Sequence, residues 1–220
     1  MERPAPQFRT HAGLRWLDPT LTTKEITLNA NDLFTLPSIT LAGRVEPALV
    51  AVLDKQIKAM MEKKPEKALV ILTTTGGMNA YSIGIYERLR LLQQVVDLTL
   101  VGIGIVYSAG ITISMAFPKE KRWLSAESSM MFHQTQVEIT PSNTSTSINL
   151  TARELLLAES AVSLEHQRRN LEWIFDRIAK GTGQKEKTIK KMAESGTYFT
   201  AKEALDFGLI GGILDEKKSR

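Results

Sequence analysis

With 220 residues, no cysteine and a net charge of +4, the chain excludes disulfides, cysteine-based zinc sites and a thiolate nucleophile. Hydrophobic residues make up 43% and charged residues 24%, the balance of a soluble globular chain with apolar material for one core. The basic residues are scattered, with small clusters at 185–191 and 217–220, and no basic stripe is interleaved with aromatics, so nucleic-acid binding is not expected.

Residues 1–36 carry Pro4, Pro6 and Pro19 with little periodicity and read as an N-terminal arm, partly extended, that is free or packs on a partner. The opening MERPAPQFRT has no apolar run after its charges, so no signal peptide is expected. No stretch approaches the roughly 18 apolar residues of a membrane span. A cytoplasmic protein with no membrane partner is the expectation.

Residues 37–220 read as one α/β domain. The run 38–42 (SITLA) is a short strand ended by Gly43. A helix is expected over 47–63, where Leu49, Val52, Leu53, Ile57, Met60 and Met61 recur at three and four with Pro47 in the first turn. The nearly continuous apolar run 68–73 (ALVILT) predicts a strand buried on both faces, as in a parallel sheet. Gly76-Gly77 breaks the pattern before a helix over 81–94. A second buried strand covers 98–106, followed by Ser108 and a short apolar helix over 109–117. Short strands follow at 123–124 and 130–132. The Ser/Thr-rich segment 141–149 reads as a mobile loop; the glycosylation sequon at Asn143 within it is taken as chance, given no secretory signal. A long helix over 151–180 is expected, whole or split, then a helix over 200–207 and a strand over 209–214. The alternation of strand and helix argues for parallel strands.

Three features carry chemistry. Ser108 lies between a buried strand and a helix, where free N–H groups and the dipole favour negative charge. The Ala109 amide there can hold an oxyanion, although Ser108 also fits a plain helix cap. Gly76-Gly77, in a second strand-to-helix turn, lets backbone N–H groups face a phosphate or an oxyanion, and the Walker pattern is absent. His133 ends the apolar run 130–132 at a strand end. An imidazole titrates near neutral pH and is suited to take a serine proton.

These motifs together resemble the proteolytic subunit of the Clp protease, ClpP. From about residue 39 to 213, roughly four fifths of the chain, LAGRVEP is similar to the family's first strand and turn, and TTTGGMNAYSIGIYERL to its Pro-Gly-Gly loop and helix, with Thr75 in place of Pro. GIGIVYSAG resembles the segment carrying the nucleophile, and KRWLSAESSMMFHQ the segment carrying the catalytic histidine, 25 residues on. GTGQ followed by YFTAKEALDFGLI resembles the C-terminal portion. The resemblance implies a ClpP/crotonase-type spiral of parallel strands and helices, with a long projecting handle helix at about 134–181. It implies a serine endopeptidase that forms an acyl-enzyme on Ser108 with His133 as general base, and an oxyanion hole from the Gly77 and Ala109 amides. It implies a homo-oligomeric ring, peptide or unfolded-protein substrates and an ATP-driven unfoldase. Neither a cofactor nor a metal ion is expected.

The family's third member is an acid that orients the histidine. Counting back from Thr200-Ala201 and forward from GTGQ both place it at Gly196, which has no carboxylate. Three readings stay open: a substitute acid, Glu194 first and Asp176 or Asp206 after it; a Ser–His dyad; or an inactive or weakly active ring subunit. The segment between His133 and Gly181 is longer than the family's pattern, which puts two-ring assembly in question. Two other readings remain: an acyl-CoA enzyme of the crotonase group, and a Ser–Lys enzyme using Lys119 or Lys121.

Overall fold

The structure, a computed structural model, describes Leu28, residues 31–133 and residues 150–214. The first 27 residues, the expected loop 141–149 and its sequon at Asn143 lie outside the described residues.

The elements run α1 (Asp32–Thr35), β1 (Ser38–Ala42), α2 (Pro47–Lys63), β2 (Lys67–Thr74), α3 (Asn79–Leu92), β3 (Asp97–Tyr107), α4 (Ala109–Ser114), β4 (Arg122–Ser125), β5 (Ser129–Phe132), α5 (Leu150–Thr182), α6 (Glu186–Ser195), β6 (Thr197–Thr200), α7 (Ala201–Phe207) and β7 (Gly212–Leu214). Local chemistry accounts for their ends. Pro47 opens α2, where its missing N–H costs nothing, and Lys64 in the left-handed region closes it. Thr200 and Glu203 form a reciprocal capping box at the start of α7. The Glu203 carboxyl is held below its ordinary range, first by the Thr200 amide and then by the Thr200 hydroxyl.

β1, β2, β3, β4 and β7 form a parallel path in that order. β3 serves two neighbours: Leu100 to Gly102 pair with β4, and Ile105 to Tyr107 pair with β5. The change of partner falls at a break. The β2–β3 register shifts between Leu72 and Thr74, and Gly104 has φ +76°. The break is tied on both sides, because Thr73 Oγ1 donates to the Ile103 carbonyl at 2.7 Å and the Gly104 amide donates to Ser128 Oγ at 2.7 Å. An irregularity of this kind bends a strand and re-aims its end. It carries the end of β3, with Ser108 after it, away from β4 and onto β5.

One apolar cluster runs between the sheet and α2, α3, α4, the end of α5, α6 and α7. A second cluster covers the other face: Leu69, Val101 and Leu214 pack with Leu28, Leu33 and Leu36. This explains the unbroken apolar runs of β2 and β3, since both faces are buried. The end of the expected arm therefore packs on this chain's own sheet.

Two features were not foreseen in the sequence, and a third, left open there, is settled as one of its two forms. α6 was hidden in the lysine-rich stretch, since only Ile189 and Ala193 of its apolar positions are buried. β6 is a short strand that pairs antiparallel with β5, an exception in an otherwise parallel sheet. α5 is one continuous helix of 33 residues. Ile174, Phe175 and Ile178 near its C-terminus are buried, whereas Leu164 is 45% exposed. No described helix is long and apolar enough to cross a membrane.

Candidate active site

Ser108 occupies the turn between β3 and α4 with φ +53° and ψ −114°. A non-glycine residue there stores about 1–3 kcal/mol and persists only when its surroundings hold it. They do so closely. The Ser108 amide donates to the Met131 carbonyl at 2.7 Å, which ties the turn to β5. All six residues of α4 are buried. A Cβ on Gly76 would lie 2.6 Å from the Ser108 Cβ and 3.1 Å from its Oγ. Only glycine allows that approach. The Ser108 side chain makes no cap hydrogen bond to α4, so its hydroxyl is not spent as a helix cap.

The glycine turn is fixed by the strand beside it. The Gly76 amide donates to the Thr74 hydroxyl at 3.0 Å. Val45 bridges Gly77 by donating to the Gly76 carbonyl at 2.8 Å and accepting from the Met78 amide at 2.9 Å. In such a parallel bridge the middle residue's own N–H points away from the partner strand. A Cβ on Gly77, which has φ +152°, would sit 2.3 Å from the Val45 carbonyl oxygen. Both glycines of the pair are thus required by contact.

Ser108 and His133 line one small cavity, together with Asn79, Thr112, Phe132, Leu171, Ile174 and Phe175. Its volume is about 10 Å³, close to the space one water needs. Phe132 and Phe175 meet edge to face at 6.1 Å, which couples β5 to the α5 wall. Among the described residues no hydrogen bond joins the Ser108 hydroxyl to the imidazole. Such bonds often tighten only when substrate is bound.

The position where the resemblance expects the acid lies at the end of the β5–β6 ladder. Phe132 pairs with Thr197 as its last pair, and His133 and Gly196 are the next residues beyond that end. Gly196 is the left-handed cap of α6, with φ +65° and ψ 76°. A Cβ there would meet nothing within 4 Å. The candidate substitutes do not line the cavity. Glu194 is exposed on α6. Asp176 pairs with Lys180 at 2.8 Å on α5, and Asp206 with Lys202 at 3.0 Å on α7. Lys119 and Lys121 are also absent from the lining, and Lys121 is ion-paired with Asp97. Asn79 and Thr112 do line it, and sequence reasoning passed over both. A polar residue in the first turn of a helix carries no motif, and the single signal available was their closeness in sequence to Gly77 and Ser108.

Residues 23–217 match a family model described as Clp protease. The ATP-dependent Clp protease proteolytic subunit of Ligilactobacillus salivarius is 25% identical over 181 residues, 82% of this chain and 84% of that protein. The ATP-dependent Clp protease proteolytic subunit 1 of Chlamydia pneumoniae is 27% identical over 153 residues, 69% of this chain and 73% of that one. Among solved structures, a ClpP1 point mutant from Listeria monocytogenes aligns with a TM-score of 0.68 at 22% identity, covering 85% of this chain and 96% of that chain. That last likeness speaks for the fold, a mixed α/β domain built on a parallel sheet.

Proposed function

The chain belongs to the Clp protease family, and from that premise we propose that it is a serine endopeptidase with Ser108 as nucleophile and His133 as general base. The observation that carries the reading is the Ser108 hydroxyl, held at a strained turn, unspent on capping and facing the same cavity as His133. His133 takes the hydroxyl proton while Ser108 Oγ attacks the peptide carbonyl carbon. The Gly77 and Ala109 amides receive the resulting oxyanion. Collapse breaks the C–N bond, and the imidazolium returns its proton to the leaving amine. Water then hydrolyses the acyl-enzyme by the same route in reverse.

The apolar wall of Phe132, Leu171, Ile174 and Phe175 suits an apolar side chain of the substrate. A cavity of about 10 Å³ holds no such side chain as it stands, so binding one would require its lining to part. By family, a homo-oligomeric ring fed by an ATP-driven unfoldase is the setting we propose, with unfolded or short peptides as substrates.

A second reading has an observation of its own. Among the described residues no carboxylate lines the cavity, and Gly196 stands at the position where the resemblance expects the acid. That arrangement also suits an inactive or weakly active ring subunit. A fluorophosphonate probe separates the two readings. Labelling of the assembled protein that is lost in both Ser108→Ala and His133→Ala establishes the peptidase chemistry. An unlabelled wild type, assembled and folded, leaves the inactive subunit.

A further inference from the structure

Arg122 is the largest of the fully buried side chains, at 0% exposure. Burial pulls its pKa down to about 10, partly offset by the charge of Glu120, so the guanidinium stays charged at neutral pH. Among the described residues no carboxylate pairs with it. A buried cation without a counter-ion is costly unless other groups replace its water. Here two helix-end carbonyls and a thioether take the water's place on the Nη atoms, while Nε has no hydrogen-bond partner among the described residues. Nη2 donates to the Gly181 carbonyl in the last turn of α5 and, at 3.2 Å, to the Gly208 carbonyl that caps α7. Nη1 donates to Met115 Sδ, at the C-terminal cap of α4, at 2.8 Å.

The convergence is built in. A Cβ on Gly208 would lie 2.6 Å from the Thr182 carbonyl, and Gln184 Nε2 donates to the Phe207 carbonyl at 3.1 Å. The C-termini of α5 and α7 are therefore pressed together. Each end carries partial negative charge, so their meeting is repulsive without a cation between them. A Cβ on Gly181 would strike Met115 Sδ at 2.5 Å and crowd Arg122 Nη1 at 3.2 Å. Glycine there lets the guanidinium fork seat between α4 and α5.

Both of those helices line the site. α4 begins at Ala109, directly after Ser108, and α5 supplies the wall of Leu171, Ile174 and Phe175. We infer that Arg122 is a positioning residue whose buried guanidinium fixes the α5 wall relative to the Ser108 turn, and so sets the size of apolar group the site accepts. Its role at the site rests on the peptidase reading above; its role as the link between helices does not.

The test compares wild type with Arg122→Lys, Arg122→Met and Gly181→Ala. A lysine offers one point charge where the arginine fork reaches two carbonyls and a sulfur. Amide exchange in 109–115 and 174–182 is expected to rise about tenfold in Arg122→Lys and more in Arg122→Met, while β1, β2 and α2 keep wild-type protection. In peptidase assays the ratio of kcat/KM for a large against a small apolar residue before the scissile bond shifts by about threefold or more. Gly181→Ala keeps the arginine, displaces its seat and gives the same local pattern more weakly; it decides the matter if the Arg122 variants do not fold. Unchanged local exchange in the folded variants, or a rise spread evenly over the whole chain, overturns the inference. A wild type with no peptidase activity sinks the peptidase reading and leaves the exchange comparison to judge the link.

Discussion

A methyl group at Gly76 would stand 2.6 Å from the Ser108 Cβ, and one at Gly77 would stand 2.3 Å from the Val45 carbonyl. One at Gly196, which like His133 lies one residue beyond the last β5–β6 pair, would touch nothing within 4 Å. The serine side of the site is over-determined: a strained turn, a buried helix, two crowded glycines and a hydrogen bond to β5 fix one another. The histidine side rests on a four-residue strand with solvent space next to it. The difference shows where this chain was free to change. Substitution beside Ser108 must displace backbone, whereas substitution at 196 alters chemistry with little change in packing. The departure from the family's acid sits on the loose side.

The contrast can be broken from either end. The largest effect belongs to His133→Ala, which is expected to lower peptide hydrolysis about 10³-fold or more with a nearly unchanged melting temperature. A loss of less than tenfold in steady-state kinetics would remove the imidazole from the chemistry. Next comes Gly77→Ala on the crowded side. It should cost about 1–3 kcal/mol in a denaturant titration and, by dislodging one oxyanion donor, about 10² in kcat. A variant as stable and active as wild type would mean the serine side is looser than its contacts imply.

Gly196→Asp probes the open side. Aspartate tolerates the left-handed region better than most residues, so a stability cost of about 1 kcal/mol is expected. A carboxylate beside His133 should raise kcat by about tenfold if the site works as an unaided dyad. No gain, with the fold intact, would place the orienting group elsewhere. The smallest effect lies far out on α5. The Glu165 carboxyl is held down to about 2, first by its hydrogen bond to Arg168 and then by that to Arg169. A depressed carboxyl contributes stability that is complete above its unfolded value of about 4.3 and is lost as pH falls toward the folded value. Helicity followed by circular dichroism should therefore decline slightly between pH 4.3 and about 2. Glu165→Gln should flatten that decline. The group is exposed, so salt should weaken it further.

Much of the fold was legible because the signals were physical and local. β1 and α2 begin and end where the apolar pattern and Pro47 put them. β2 and β3 were legible as buried strands because both their faces are covered. α6 escaped because most of its residues are polar and its buried face is only two residues, Ile189 and Ala193. β6 escaped because four residues ending in a helix cap leave no periodicity to read. At the site, Ser108, His133 and Gly77 were legible as residues, and the family resemblance joined them. Their crowding was not: the contacts between Gly76 and Ser108, or between Gly77 and Val45, link positions about thirty residues apart. Arg122 reads in the sequence as an ordinary surface cation beside Lys121. Only the meeting of two helix-end carbonyls with the Met115 thioether reveals why it is buried.

α5 is 33 residues long, so at about 1.5 Å per residue it spans about 50 Å. Among its described side chains, the buried apolar anchors Ile174, Phe175 and Ile178 lie within its last three turns. From these anchors the helix axis runs on to Leu150. A rotation of one degree about Ile174 sweeps the far end, about 36 Å away, by about 0.6 Å. Forces applied at that tip would therefore reach the cavity wall with leverage, as large distal excursions geared down to small, firm displacements at Ile174 and Phe175.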